Sequence, residues 1–97
     1  MTRPADCADM ADLRAAIDAL DADLVTLLTR RAAFIDRAAE LKSRNRLPAR
    51  IDDRVEQVVG NVRKLAAAQG LDPDLVERLW REMIDWSIAR EETALQA

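Results

Sequence analysis

Apolar residues recur through the first half of the chain in steps of three and four: Met10, Leu13, Ile17, Leu20, Leu24, Leu27, Phe34, Ala38 and Leu41. That spacing is the seam of an amphipathic helix. It predicts one helix from about Asp9 to Leu41 or Lys42, with Asp6 or Asp9 as its cap. No glycine or proline interrupts it, but one seam position, Arg31, carries a permanent cation. The stretch "SRNRLPAR" (43 to 50) loses the period and Pro48 closes it, which predicts a loop. A second helix carries Ile51, Val55, Val58, Val62 and Leu65 and ends near Gln69 and Gly70, a glycine well placed for a C-terminal cap. Asp72 and Pro73 then read as an N-cap and a first helical residue. The third helix places Leu75, Leu79, Met83 and Trp86 on one stripe, with Val76, Trp80 and Ile84 beside it, and runs to about Leu95. The predicted fold class is all-α, with one long and two shorter helices in a single domain over residues 1–97.

The lengths add a second expectation. Thirty-three residues make a helix of ~50 Å, whereas a compact domain of this size has a diameter of ~35 Å. The apolar seam nevertheless continues to Leu41, beyond what the two shorter helices of one chain can cover. The pattern therefore predicts an intertwined homodimer with the long helices packed together.

Composition narrows the chemistry. The 97 residues are 49% hydrophobic and 3% aromatic, and they include one cysteine and no histidine. Those counts leave no disulfide framework within the chain and few ligands for a transition metal. No metal and no cofactor is expected. A net charge of −3 is no footprint for nucleic acid. With no membrane-spanning run and a polar start, "MTRPADCADM", the expectation is a cytoplasmic protein without a membrane partner. An anion bound here must be held by a local cluster of cations.

Such a cluster can be read from the spacing. Arg31 and Lys42 are eleven residues apart, within ~20° of the same helical face, and ~16 Å apart along the axis. Their side chains could grip the two ends of a small dianion. Arg14 lies some ~25 Å from Arg31 on the same helix, so only an antiparallel partner could bring its Arg14 alongside. Arg54 follows the loop and could return to the same place. Ser87 and Glu91 share one face of the third helix at i, i+4, in line with Trp80 and Ile84. Ordinary readings stand beside these. Arg31 could snorkel from the seam, Arg14 could pair with Asp18, and Lys42 could complement the helix dipole. Arg54 and Glu91 could be solvated, and Ser87 could bond back to a carbonyl. Arg30, Arg37, Arg63 and Arg90 are read as solvated, and Trp80 and Trp86 as core.

The stretch "DLRAAIDALDADLVTLLTRRAAFIDRAAELK" resembles the first helix of the all-helical chorismate mutases and of the similar isochorismate-pyruvate lyases. The likeness continues through "QGLDPDLVERLWREMIDWSIAREE". Its signature is an arginine before "xxID", a mid-helix arginine, a lysine eleven residues on, an arginine after the loop and a polar pair on the third helix. The resemblance implies an intertwined dimer with two active sites, each borrowing Arg14 from the other subunit. Arg14, Arg31 and Arg54 would bind the carboxylates of chorismate or isochorismate. Lys42 and Glu91 would flank the ether oxygen, and Ser87 would help to hold the substrate.

The implied activity is chorismate mutase, an isomerase of aromatic amino acid biosynthesis in the shikimate pathway. Its pericyclic rearrangement to prephenate needs no nucleophile or metal, only a compact substrate conformer and positive charge at the breaking C–O bond. Arg31 would then sit in the seam because the seam opens there into an anion pocket. Isochorismate-pyruvate lyase is the alternative, and a non-catalytic helical dimer module is the reading from another class.

Two features depart from the mutase pattern. Glu91 stands where glutamine is common, and it can donate a hydrogen bond to the ether oxygen only when protonated. Burial favours that neutral form and Lys42 opposes it. Ile51 and Val55 stand where mutases carry carboxylates for the ring hydroxyl. There the chain is similar to the lyase, as it is in the N-terminal "PADC".

Overall fold

A computed structural model describes residues 3 to 96. The single-domain expectation over 1–97 also takes in Met1, Thr2 and Ala97, which lie outside the described residues. After a short 3-10 turn at Pro4–Asp6 come α1 (Met10–Arg44), α2 (Asp52–Ala68) and α3 (Pro73–Gln96). No strand occurs among the described residues, so the fold is all-α. By packing, the chain divides into two units, one ending at Ala33 and the other beginning at Phe34.

The first unit is helix with no core of its own. Asp9 caps α1, its Oδ1 accepting the Asp12 amide at 2.8 Å, while Asp12 Oδ2 accepts the Ala8 amide at 3.2 Å. These bonds satisfy donors that the helix start leaves open. Thr26 and Thr29 return their hydroxyls to the carbonyls of Ala22 and Val25. Among the described residues of this unit none is buried. The seam side chains Met10, Ile17, Leu20, Leu24 and Leu27 are 48 to 57% exposed.

The second unit carries the core. Ala49, Val59, Ile84 and Ile88 are buried together, with Val55, Val58, Trp80 and Leu95 packed against them. α2 and α3 form its close helix pair. Charged arms cross that pair on the outside: Arg63 reaches Asp74 and Glu77, and Arg81 reaches Glu77 and Glu56. Arg63 is therefore half-buried between two carboxylates and not simply solvated, as its sequence position suggested. Asp72 Oδ1 accepts the Asp74 amide at 2.9 Å, so the expected start of α3 is found.

Three further expectations change. α1 continues through Ser43 and Arg44, two residues past its expected end. It stops where Leu47 N–H bonds to Lys42 C=O and Arg46 N–H to Ser43 C=O, with Arg46 at φ 56°. This is a Schellman cap with arginine in the left-handed position that glycine usually takes, so no glycine announced it. α2 ends by the same bonds, Leu71 to Ala66 and Gly70 to Ala67, on the expected Gly70 at φ 74°. Second, the α3 stripe of Leu75, Leu79 and Trp86 is exposed, while the neighbouring line of Val76, Ile84 and Ile88 is buried. Trp86 is thus not core; it lies under the Arg90 guanidinium, 5.3 Å from it. Third, Arg90 is not simply solvated, because it grips Asp36.

Candidate active site

Four of the six candidate residues lie in the second unit, and three of them, Lys42, Ser87 and Glu91, are at least partly buried there. Lys42, in the last turn of α1, extends its ammonium to Glu91 on α3, with Nζ donating to Oε2 at 2.5 Å. The same ammonium donates to the carbonyl of Ala49 at 2.5 Å. The Glu91 side chain is 4% exposed and that of Lys42 19%, so the ion pair lies largely out of water. Ser87, one turn before Glu91 on the same face, is buried, and its hydroxyl donates to the Met83 carbonyl at 2.8 Å. That bond is the back-bonding anticipated for a serine within a helix.

This placement follows from local sequence. The face Ile84, Ser87, Ile88, Glu91 is buried as a line along α3, and two of its four members are polar. Burying a carboxylate without a partner is costly, and here the partner comes from α1. Lys42 itself is held at both ends. Its carbonyl accepts the Leu47 amide of the cap, and its ammonium bridges the loop carbonyl and the acid. Ammonium carries three donors, and two are engaged by these bonds.

Arg54 stands in the first turn of α2, exposed, with Nη1 donating to Gln57 Oε1 at 2.8 Å. Its guanidinium is thus turned along its own helix. Ile51 and Val55, to either side of it, are half-buried, and Val55 packs on the core. In the first unit, Arg14 is exposed and Arg31 is half-buried.

Two groups at this site were not among the candidates. The Ala49 carbonyl had no sequence signal, since any residue supplies a carbonyl. Asp36 and Arg90 form a bidentate pair between α1 and α3, Nε to Oδ1 at 2.5 Å and Nη2 to Oδ2 at 3.0 Å. The hydrogen bonds from Arg90 hold the Asp36 carboxyl below its ordinary value, against an opposing effect of burial. The stabilisation this pair gives is thus present above the ordinary carboxylate range and fades as pH falls through the lowered value. The only hint in the sequence was adjacency, Arg90 being next to Glu91. No group of three or more potential metal ligands occurs among the described residues, and none of their helices is long and apolar enough to cross a membrane.

Comparison with known proteins places this geometry in context. Residues 13–92 match the family described as chorismate mutase type II. The chain is 37% identical over 92 residues to an isochorismate pyruvate lyase of Pseudomonas aeruginosa, covering 94% of this chain and 89% of that protein. It is 34% identical over 84 residues to the T-protein of Enterobacter agglomerans, covering 87% of this chain and 22% of the relative. A 4-amino-4-deoxychorismate mutase of Streptomyces pristinaespiralis is also 34% identical over 84 residues, 86% of this chain and 65% of that one.

Proposed function

Because the chain belongs to the type II chorismate mutase family, and so to enzymes that act on chorismate-type small molecules, we propose that it rearranges chorismate to prephenate. The reading takes the whole chain as one catalytic domain working as a homodimer. The observation that carries it is the buried ion pair of Lys42 and Glu91 beside buried Ser87. A helix needs no such pair for stability, since apolar residues of like volume serve as well or better. A reaction that passes charge to an ether oxygen does need a fixed cation there.

In this proposal the free donor of the Lys42 ammonium meets the ether oxygen as the C–O bond breaks and the new C–C bond forms. Arg31, eleven residues earlier on α1, holds one carboxylate, with Arg54 and a second copy's Arg14 completing the grip. Arg54 must leave Gln57 to do so, a rotation open to an exposed side chain. Glu91 serves the ether oxygen when protonated, and otherwise orients Lys42. No step requires a nucleophile or a redox group; the protein selects the compact conformer and supplies charge.

The second reading is isochorismate-pyruvate lyase. It is favoured by apolar Ile51 and Val55 around Arg54, which offer no carboxylate to a ring hydroxyl, and by the name of the Pseudomonas relative. Incubating purified protein with chorismate and, separately, with isochorismate distinguishes the two. Prephenate from chorismate is the expected product. Salicylate and pyruvate from isochorismate, with chorismate untouched, would replace the mutase reading by the lyase. Turnover of neither would leave a non-catalytic dimer module.

A further inference from the structure

Arg90 directly precedes Glu91 on α3, and Asp36 lies six residues before Lys42 on α1. Their contact is a fork on a fork: two hydrogen bonds join one guanidinium edge to both oxygens of one carboxylate. Trp86, one turn earlier on α3, presents its ring to the same guanidinium at 5.3 Å. Exposed ion pairs usually contribute little because either side chain can swing away. Here the fork fixes direction as well as distance, and the indole limits the guanidinium from another side.

The close helix packing in this unit is between α2 and α3. Within this unit, long polar side chains make hydrogen bonds from α1 and its loop to α3: Arg90 with Asp36, Lys42 with Glu91, and Arg50 with Asp85 at 3.0 Å. Long flexible arms fix a spacing poorly unless one of them is rigid. Of these three, the Asp36–Arg90 fork is the one with two bonds and a stacked ring.

We propose that Asp36 and Arg90 are positioning residues whose bidentate contact sets the register of α1 on α3 and so keeps the Lys42 ammonium on the buried Glu91 carboxylate. The pair touches no substrate and acts through Lys42 and Glu91. In its kinetic consequence it rests on the proposed function; in its structural consequence it does not.

The test uses three variants of the full chain. Asp36→Asn keeps shape and loses charge. Arg90→Lys keeps charge and loses the fork. Asp36→Arg combined with Arg90→Asp restores the fork in reverse. Without substrate, the nitrogen-15 signal of the Lys42 ammonium reports its protection from water. The expected result is loss of that protected signal in both single variants and its return in the reversed pair. An unchanged Lys42 signal in both single variants would overturn the proposal. With substrate, Asp36→Asn should lower kcat about tenfold while KM stays within about twofold, the signature of a misplaced group and not of lost binding. In a Glu91→Gln background the same substitution should cost much less, because the contact it serves has already changed. Equal losses in both backgrounds would overturn it as well. If the wild-type protein turns over neither substrate, the proposed function fails, and the Lys42 signal still decides the positioning role.

Discussion

The two units of this chain use the same helical grammar to different ends. Up to Ala33, α1 is a helix by local rules alone: an aspartate cap, an acid in the first turn, and no glycine or proline. Its seam side chains are about half exposed. From Phe34 onward, apolar positions of similar spacing close on one another around Val59, Ile84 and Ile88. Local signals are thus enough to write a helix, but they do not say what will bury it. A row of Met10, Ile17, Leu20, Leu24 and Leu27 is more apolar surface than a lone helix ordinarily offers to water. The proposed homodimer gives that row an occupant.

The largest effects should come from the first unit. Leu24→Glu puts a charge into the seam without touching a candidate site residue. If two copies bury the seam, the unpaired charge costs about 3 kcal/mol or more, and sedimentation should show the dimer dissociating at micromolar protein. Activity should drop by about a hundredfold with it. A folded, fully active monomer, in the wild type or in this variant, would break the comparison at its root. The borrowed arginine gives a sharper form of the same test. Arg14→Ala and Arg31→Ala should each be nearly inactive, since each removes a cation from both sites of a dimer. Mixing the two under subunit exchange should restore one intact site per mixed dimer. Recovery of nothing would confine each site to a single chain.

A smaller effect belongs to the second unit, where the acid is buried by its own chain. An ionised Glu91 holds Lys42 but opposes charge building on the ether oxygen. Glu91→Gln offers a donor of nearly the same shape at every pH. It should hold or raise activity between pH 7 and 8. A large loss of activity in the variant would exclude the ether-oxygen role for Glu91.

How much of this was legible beforehand follows the same division. The three helices were readable because periodicity and caps are local, and so were Asp9, Asp72 and Gly70. The site pair Lys42 and Glu91 was readable only through family spacing; 49 residues separate them, and nothing local joins them. Asp36 and Arg90 were missed for the same reason, being an ordinary acid and an ordinary base 54 residues apart. Trp86 was read as core because two apolar stripes stand side by side on α3, and it lies on the exposed one. Periodicity marks both, and only the position of α2 chooses between them.

The smallest expected effect concerns how α1 and α2 stop. Both use the same cap, but α2 has Gly70 at φ 74° and α1 has Arg46 at φ 56°. A side chain in the left-handed region costs roughly 1–2 kcal/mol, while a glycine loosens the unfolded chain by about 0.4–1 kcal/mol. Arg46→Gly should thus stabilise the fold by up to ~1 kcal/mol, and Gly70→Ala should destabilise it by a similar amount. Thermal melts at one fixed protein concentration measure both, since any dimer makes the midpoint concentration-dependent. The bond from Leu47 N–H to Lys42 C=O survives the arginine change, so kcat should stay as in the wild type. A lower melting point for Arg46→Gly would mean that the arginine side chain holds the loop by more than its backbone strain costs. The stop of α1 would then be a tertiary feature of the second unit, not a local one like the start of the same helix at Asp9.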